Sequence, residues 1–269
     1  MPTTVGEFRA DGETPLTMLT AYDAPTATAC ERAGIDAILV GDSMGNAMLG
    51  YDSTLPVTVD EVASRTGAVA RATDETLVIA DMPFLSFGVD ESESLHNAGR
   101  MLKEAGAHAV KLESGSHTIG LTERLAELGI PVMAHLGLTP QKVNQLGYSR
   151  QGTTREAAGE IADLAVAHEE AGAFALVLEH VPANLAAQIT DDLSIPTIGI
   201  GAGTNCDGQV LVANDVLGLG ERIPPFAESF GDLRGEMENA ISDYVDAVED
   251  EEFPADEHSH VESDLDDLY

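Results

Sequence analysis

Four apolar runs in this chain end in side chains capable of acid/base or ligand chemistry: Val40-Gly41-Asp42-Ser43, Ile79-Ala80-Asp81-Met82, Val110-Lys111-Leu112-Glu113 and Leu178-Glu179. Each reads as a buried strand followed by a Gly, Pro or polar loop. Carboxylates delivered by separate strands to one rim of a parallel sheet are how a barrel enzyme assembles a metal and acid/base centre. Asp42 and Asp81 could share a hard divalent cation such as Mg2+, which takes oxygen ligands, and Glu113 would line the same side. Read singly, Asp42 could instead cap a loop and Asp81 pair with an arginine. Lys111 shares a face with Glu113, because alternate strand residues point the same way. An ammonium buried among acids is costly unless paired, which points to an anion as its partner. Glu179 would lie across the barrel from Asp42 and Asp81. If it is not a ligand it is the free carboxylate, placed as general base toward a metal-held carbonyl compound. His135 either donates to a substrate oxygen or is a satisfied structural histidine. The run Gly199-Ile200-Gly201-Ala202-Gly203 could cradle a phosphate, or simply let a neighbour approach closely.

The elements that must position these groups alternate regularly. Strands are expected at 16–20, 38–40, 77–80, 109–113, 131–135, 174–179, 196–200 and 210–212. Helices are expected between them at 24–33, from Thr58 onward with Asp60 and Glu61 in the first turn, and at 91–105, 117–128, 154–171 and 182–189. Segments 44–56 and 139–147 read as loops. Short β-rich runs alternating with amphipathic helices argue for parallel strands joined by right-handed crossovers. Eight such units fit a (β/α)8 TIM barrel, and no Gly-x-Gly-x-x-Gly follows the first strand to suggest a doubly wound sheet. The connection between strands seven and eight is too short for a full helix. A further helix is expected at 230–248. The expectation is one α/β domain over 1–248, with 249–269 as a disordered acidic tail: that last stretch holds ten Asp or Glu and no Lys or Arg.

Composition narrows the function class. There are 47 acidic against 13 basic residues, and the only lysines are Lys103, Lys111 and Lys142. Nucleic-acid binding needs the opposite sign. Acidic excess spread along the chain with scarce lysine suits a protein kept hydrated in concentrated salt, a halophilic adaptation. No run approaches the roughly 18 apolar residues that span a bilayer, and the N-terminus shows no signal-peptide pattern, so a cytoplasmic protein without membrane partners is expected. Cys30 and Cys206 lack metal-ligand spacing and are expected as free thiols.

Several of these segments also resemble a known family. Gly41-Asp42-Ser43, Tyr51 to Thr58, Ala80-Asp81-Met82-Pro83-Phe84, Val110 to Glu113, His135-Leu136-Gly137-Leu138-Thr139-Pro140-Gln141, Leu178 to Pro182 and Ile198 to Gly203 with Asp207-Gly208-Gln209 are similar, in order, to the ketopantoate hydroxymethyltransferases. The resemblance implies a barrel enzyme that moves a one-carbon unit from 5,10-methylenetetrahydrofolate to 3-methyl-2-oxobutanoate, giving 2-dehydropantoate for pantothenate and coenzyme A synthesis. It implies Asp42 and Asp81 as magnesium ligands, with Glu113 a further one. It also implies Ser43, Asp81, Lys111 and His135 as substrate contacts, Glu179 as proton acceptor, and a homodecamer. The chain departs from the family at Asn46, Ser114 and His180. Two rivals are a metal-dependent lyase or mutase of the isocitrate lyase and phosphoenolpyruvate mutase type, whose Lys-Lys-Cys-Gly-His loop is absent here, and a non-catalytic barrel scaffold, which would have lost its strand-end charges.

Overall fold

The computed structural model describes residues 4–9, 14–220 and 222–262. Eight parallel strands close into a barrel in chain order: β1 (Leu16–Thr20), β2 (Ala37–Val40), β3 (Leu77–Asp81), β4 (Ala109–Glu113), β5 (Val132–Gly137), β6 (Ala175–Glu179), β7 (Thr197–Ile200) and β8 (Gly208–Leu211). The intervening helices are α1 (Ala24–Ala33), α2 (Met44–Ala47), α3 (Val59–Ala70), α4 (Glu91–Lys103), α5 (Ile119–Glu127), α6 (Val143–Leu146), α7 (Arg155–Glu170) and α8 (Ala183–Asp192). After β8 come α9 (Ala213–Val216) and α10 (Leu233–Glu249). The sheet closes through β1 against β8, where Leu16 pairs with Gly208 and Met18 with Val210.

Strand alternation sorts the side chains. Leu77 and Ile79 of β3, Ala109 of β4, Met133 of β5 and Ala175 and Val177 of β6 fill the interior with Leu16, Met18, Leu39, Ile198 and Val210. The intervening residues face the helices: Val78, Ala80, Val110 and Leu112 pack with Val62, Val69 and Met101, and Leu176 and Leu178 pack with Ile161, Leu185 and Ile189. Burying each Leu, Ile, Val or Met among them contributes about 1.5–3 kcal/mol, so a slip of one residue would invert both layers and is strongly disfavoured. Phe8 is buried at the strand-start end of the interior, its ring edge-on to Phe174 at 6.2 Å.

Helix ends follow their side chains. Thr58 accepts from Glu61 N while Glu61 Oε2 accepts from Thr58 N at 2.7 Å, a closed capping box that starts α3. Asp90 and Thr154 cap α4 and α7 in the same sense. Two expected loops instead contain single helical turns, α2 within 44–56 and α6 within 139–147. Four residues are too few to impose a 3.6-residue pattern on a sequence.

By their internal packing, Met1–Ala213 with Pro225–Ala227 form one compact unit, the barrel. Asn214–Pro224 with Glu228–Tyr269 form a second. Within the second unit Asp232 caps α10 by accepting from Gly235 N, and Arg234 donates to Leu219 O at 2.8 Å. Residues 250–262 are exposed, with a short 3-10 turn at Asp256–His258 and the Phe253 ring between Tyr244 and His258. The remainder of the expected tail, 263–269, lies outside the described residues. Among those described, no helix is long and apolar enough to cross a membrane.

Candidate active site

The interior stripes of four neighbouring strands change character at their C-terminal ends. On β3 the inward series Leu77, Ile79 is followed by Asp81; on β4 Ala109 is followed by Lys111 and Glu113; on β5 Met133 by His135; on β6 Val177 by Glu179. Register places Asp81 beside Lys111, Glu113 beside His135, and Gly137 beside Glu179. The period of two that packs the core therefore delivers the charged groups as the last layer over it.

These groups form a connected chain. Lys111 Nζ lies 2.8 Å from Asp81 Oδ1, an ion pair by distance although not aligned as a hydrogen bond. On its other side the ammonium is 3.3 Å from His135 Nδ1. An ammonium only donates, so Nδ1 accepts and the ring proton sits on Nε2. That nitrogen is 3.2 Å from Glu179 Oε2, again within reach but off-line. Burial, reinforced by Lys111, lowers the His135 pKa, which keeps the ring neutral and consistent with this tautomer. Burial acts to lower the Lys111 pKa; the facing Asp81, Asp42 and Glu113 together outweigh it and raise it.

A second set of contacts runs through Gln141, which sequence reasoning left without a role. Its side-chain amide donates to Asp42 Oδ2 at 2.9 Å and to Met82 O at 3.0 Å. Its backbone N–H lies 3.1 Å from each Glu113 carboxylate oxygen. Asp42 N donates to Asp81 Oδ2 at 3.3 Å. Ser43 is half-buried, with its Oγ 2.9 Å from the hydroxyl of buried Tyr22. All the sequence-predicted residues thus meet at one mouth of the barrel, and Tyr22 and Gln141 join them. The phosphate reading of Gly199 to Gly203 fares differently. A Cβ on Gly203, at φ +89°, would fall 2.5 Å from Ala183 Cβ, and one on Gly201 would meet the Phe226 ring. Neighbouring side chains use that space, which is the close-approach alternative.

Three buried carboxylates, Asp42, Asp81 and Glu113, face one ammonium. Burial, then the facing Asp81, push the Asp42 carboxyl up to about 7, against the pull of Lys111 and Gln141. Burial and Asp42 likewise raise Glu113 well above the ordinary range. This is a cluster short of positive charge and rich in hard oxygen donors, which fits a divalent cation. Among the described residues no three Asp, Glu, His or Cys side chains close into a metal cage. Mg2+ usually takes only one or two carboxylates and completes its shell with water or substrate oxygens, so a three-residue cage is not what such a site requires.

Comparison with known proteins decides the family. The ketopantoate hydroxymethyltransferase family model matches residues 3–256. The chain belongs to the ketopantoate hydroxymethyltransferase family. It is 68% identical, over the full length of both chains, to a 3-methyl-2-oxobutanoate hydroxymethyltransferase of Haloarcula marismortui. It is equally identical, again over both full lengths, to one of Halobacterium salinarum. Among solved structures, a phosphonopyruvate hydrolase in complex with oxalate and Mg++ superposes with a TM-score of 0.61 at 14% identity, covering 98% of this chain and 94% of the other. At that identity the likeness concerns the barrel alone, so the rival lyase and mutase chemistry gains nothing from it. As a ketopantoate hydroxymethyltransferase family member, the chain keeps every strand-end charge that the scaffold reading would have eroded.

Proposed function

We propose that the protein transfers a hydroxymethyl group to C3 of 3-methyl-2-oxobutanoate, giving 2-dehydropantoate, with 5,10-methylenetetrahydrofolate as donor. The observation that carries the mechanism is the chain Asp81, Lys111, His135, Glu179 across the barrel mouth. Asp42 and Asp81 would hold Mg2+, with Glu113 supporting them. When bound, the cation supplies Lewis-acid polarisation of the α-keto acid oxygens.

The chain's own residues supply the rest. The Lys111 ammonium offsets the charge of the substrate carboxylate, and Ser43 offers a hydroxyl at the same rim. Glu179, with its side chain 16% exposed, is the least enclosed of the site carboxylates and takes the proton from C3. Neutral His135 stands 3.2 Å from that carboxylate through Nε2, within reach to limit where it turns. The carbanion electrons at C3 then form the new C–C bond to the one-carbon unit as the first of its two bonds to the carrier nitrogens breaks, and water replaces the second. Water provides the hydroxyl, and the two nitrogens regain protons, one from Glu179 and one from that water. By resemblance the enzyme works as a homodecamer in the cytoplasm, and the acidic surface fits a halophilic setting.

Deuterium exchange at C3, with Mg2+ but without folate, tests this directly. Wild-type protein in D2O should exchange the C3 proton of 3-methyl-2-oxobutanoate. Glu179→Gln should slow exchange by at least about 100-fold, the usual weight of a general base, while retaining substrate binding by calorimetry. Exchange by that variant at the wild-type rate removes Glu179 from its role.

A further inference from the structure

Next to the catalytic cluster is a cavity of about 210 Å3, lined by Phe84, Leu85, Val89, Glu113, His117 and Lys142. Its rim is unusual for so acidic a protein: Phe84, Leu85 and Val89 are 40%, 61% and 72% exposed. Phe84 and Phe87, which also lines the cavity, are two of only seven phenylalanines. The segment carrying them is held, not slack. Ser86 N donates to Pro83 O at 3.0 Å, buried Asn97 donates through Nδ2 to Ser86 O at 2.9 Å, and Gly88 N donates to Ser94 Oγ at 3.0 Å. Leu85 is fixed at φ +61°, a conformation that costs a non-glycine residue about 1–3 kcal/mol. The fold thus spends order to keep an apolar ledge in water at the door of the site.

Positive charge borders the same opening. The Lys142 ammonium and the His117 ring both lie within 4 Å of the point where a Cβ on Gly115 would sit. Of the three lysines, Lys111 is buried in the catalytic cluster and Lys142 stands here. An apolar ledge beside a cation recognises a flat hydrophobic ring with an anionic appendage, not the small polar keto acid that Lys111 already faces. The volume is below the roughly 300–1,000 Å3 that encloses a drug-sized ligand. It accepts one ring system and leaves the remainder of a larger molecule lying across the rim. Glu113 belongs both to this cavity and to the cluster, so a ring seated here keeps its reactive atoms beside the keto acid.

Resting on the transferase reading above, we propose that the Phe84–Val89 ledge with Lys142 is the docking site of the one-carbon carrier: its flat portion lies on Phe84, Leu85 and Val89, and its glutamate carboxylates meet Lys142. Two variants of the full-length protein test it. Leu85→Gly removes a ledge side chain while placing glycine at a φ that suits it, so thermal stability should hold or rise. The KM for 5,10-methylenetetrahydrofolate should nonetheless increase at least about 5-fold, with kcat and C3 exchange unchanged. Lys142→Gln should raise the KM about 5–10-fold for that donor. It should leave unchanged the KM for 5,10-methylenetetrahydropteroate, which lacks the glutamate. Calorimetry with unreactive tetrahydrofolate should show the same losses in affinity. Unchanged donor KM and affinity in both variants, with wild-type C3 exchange, overturn the ledge and leave the transferase reading standing. An equal Lys142→Gln effect on both donors overturns the assignment of the tail. Loss of C3 exchange in wild-type protein would overturn both readings together.

Discussion

At the barrel mouth the proposed division of labour follows which side chains have partners. Asp81 and Asp42 are drawn together with Lys111 and Gln141, whereas the Glu179 carboxylate lies 3.2 Å from the neutral His135 ring. Gln141 ties the two halves of the site, with its side chain on Asp42 and its backbone on Glu113. Gln141→Leu should therefore leave Asp42 buried without its donor. A hydrogen bond to a charged group contributes about 1.5–3 kcal/mol, so C3 exchange should slow about 10–100-fold and Mg2+ affinity should weaken. Circular dichroism should be unaltered, because the backbone contact to Glu113 does not depend on the side chain. Exchange within two-fold of wild type would show that Asp42 is positioned without it. The strand-end residues were legible because one period of two both packs the core and aims the chemistry. Gln141 was not, since it reaches Asp42 from 99 positions away across a loop whose conformation no periodicity encodes. Its place in the run from His135 to Gln141 was the available signal.

At the scale of elements, the barrel was readable from alternation of apolar strands with capped helices, and the strand ranges differ from expectation by no more than two residues at any end. What the pattern could not convey is how elements are tied together by neutral histidines. His108 Nδ1 accepts from Val78 N at 2.9 Å, which links the entry of β4 to β3. His168 of α7 lies 3.1 Å from Thr122 Oγ1 through Nδ1 and 3.2 Å from Gly115 O through Nε2, which secures the loop after β4. Burial lowers the pKa of both rings. In the unfolded chain these rings take up protons below about pH 6.5, whereas in the fold they resist them. Unfolding therefore binds protons there, and the histidines' contribution to stability is lost as pH falls through that value. Asp42 and Glu113, raised in the fold, act in the opposite sense and lose stability as pH rises. The readout is thus a difference: from pH 7.5 to 5.5, His168→Gln should show a urea-unfolding free energy less steeply dependent on pH than wild type, by up to one proton. Parallel pH profiles for the two proteins would mean that His168 does not titrate between the folded and unfolded states.

For the whole molecule the governing number is a net charge of −34. Surface pairing does little to offset it. Among the described residues the surface Arg pairs include Arg100 with Asp60 and Arg124 with Glu127, and pairs so open to solvent contribute little to stability. The remaining repulsion has to be screened by salt, whose Debye length shortens from about 10 Å at 0.1 M to about 3 Å at 1 M. Folding brings the carboxylates closer than they are in the extended chain, so screening favours the folded state and Tm should climb by about 10 °C or more between 0.1 and 2 M KCl. Sucrose at matched osmolality strengthens burial without screening charge, and should reproduce only a minor part of the rise. Residues 250–269 carry nine of the 47 acidic residues. Deleting them should shift the KCl midpoint of stabilisation downward and leave turnover at saturating salt unchanged, if the segment serves hydration alone. A Tm independent of KCl, or a rise matched by sucrose, would break the link between charge and salt. A truncated enzyme that loses turnover in 2 M KCl would give the tail a part in the chemistry that the barrel does not require of it.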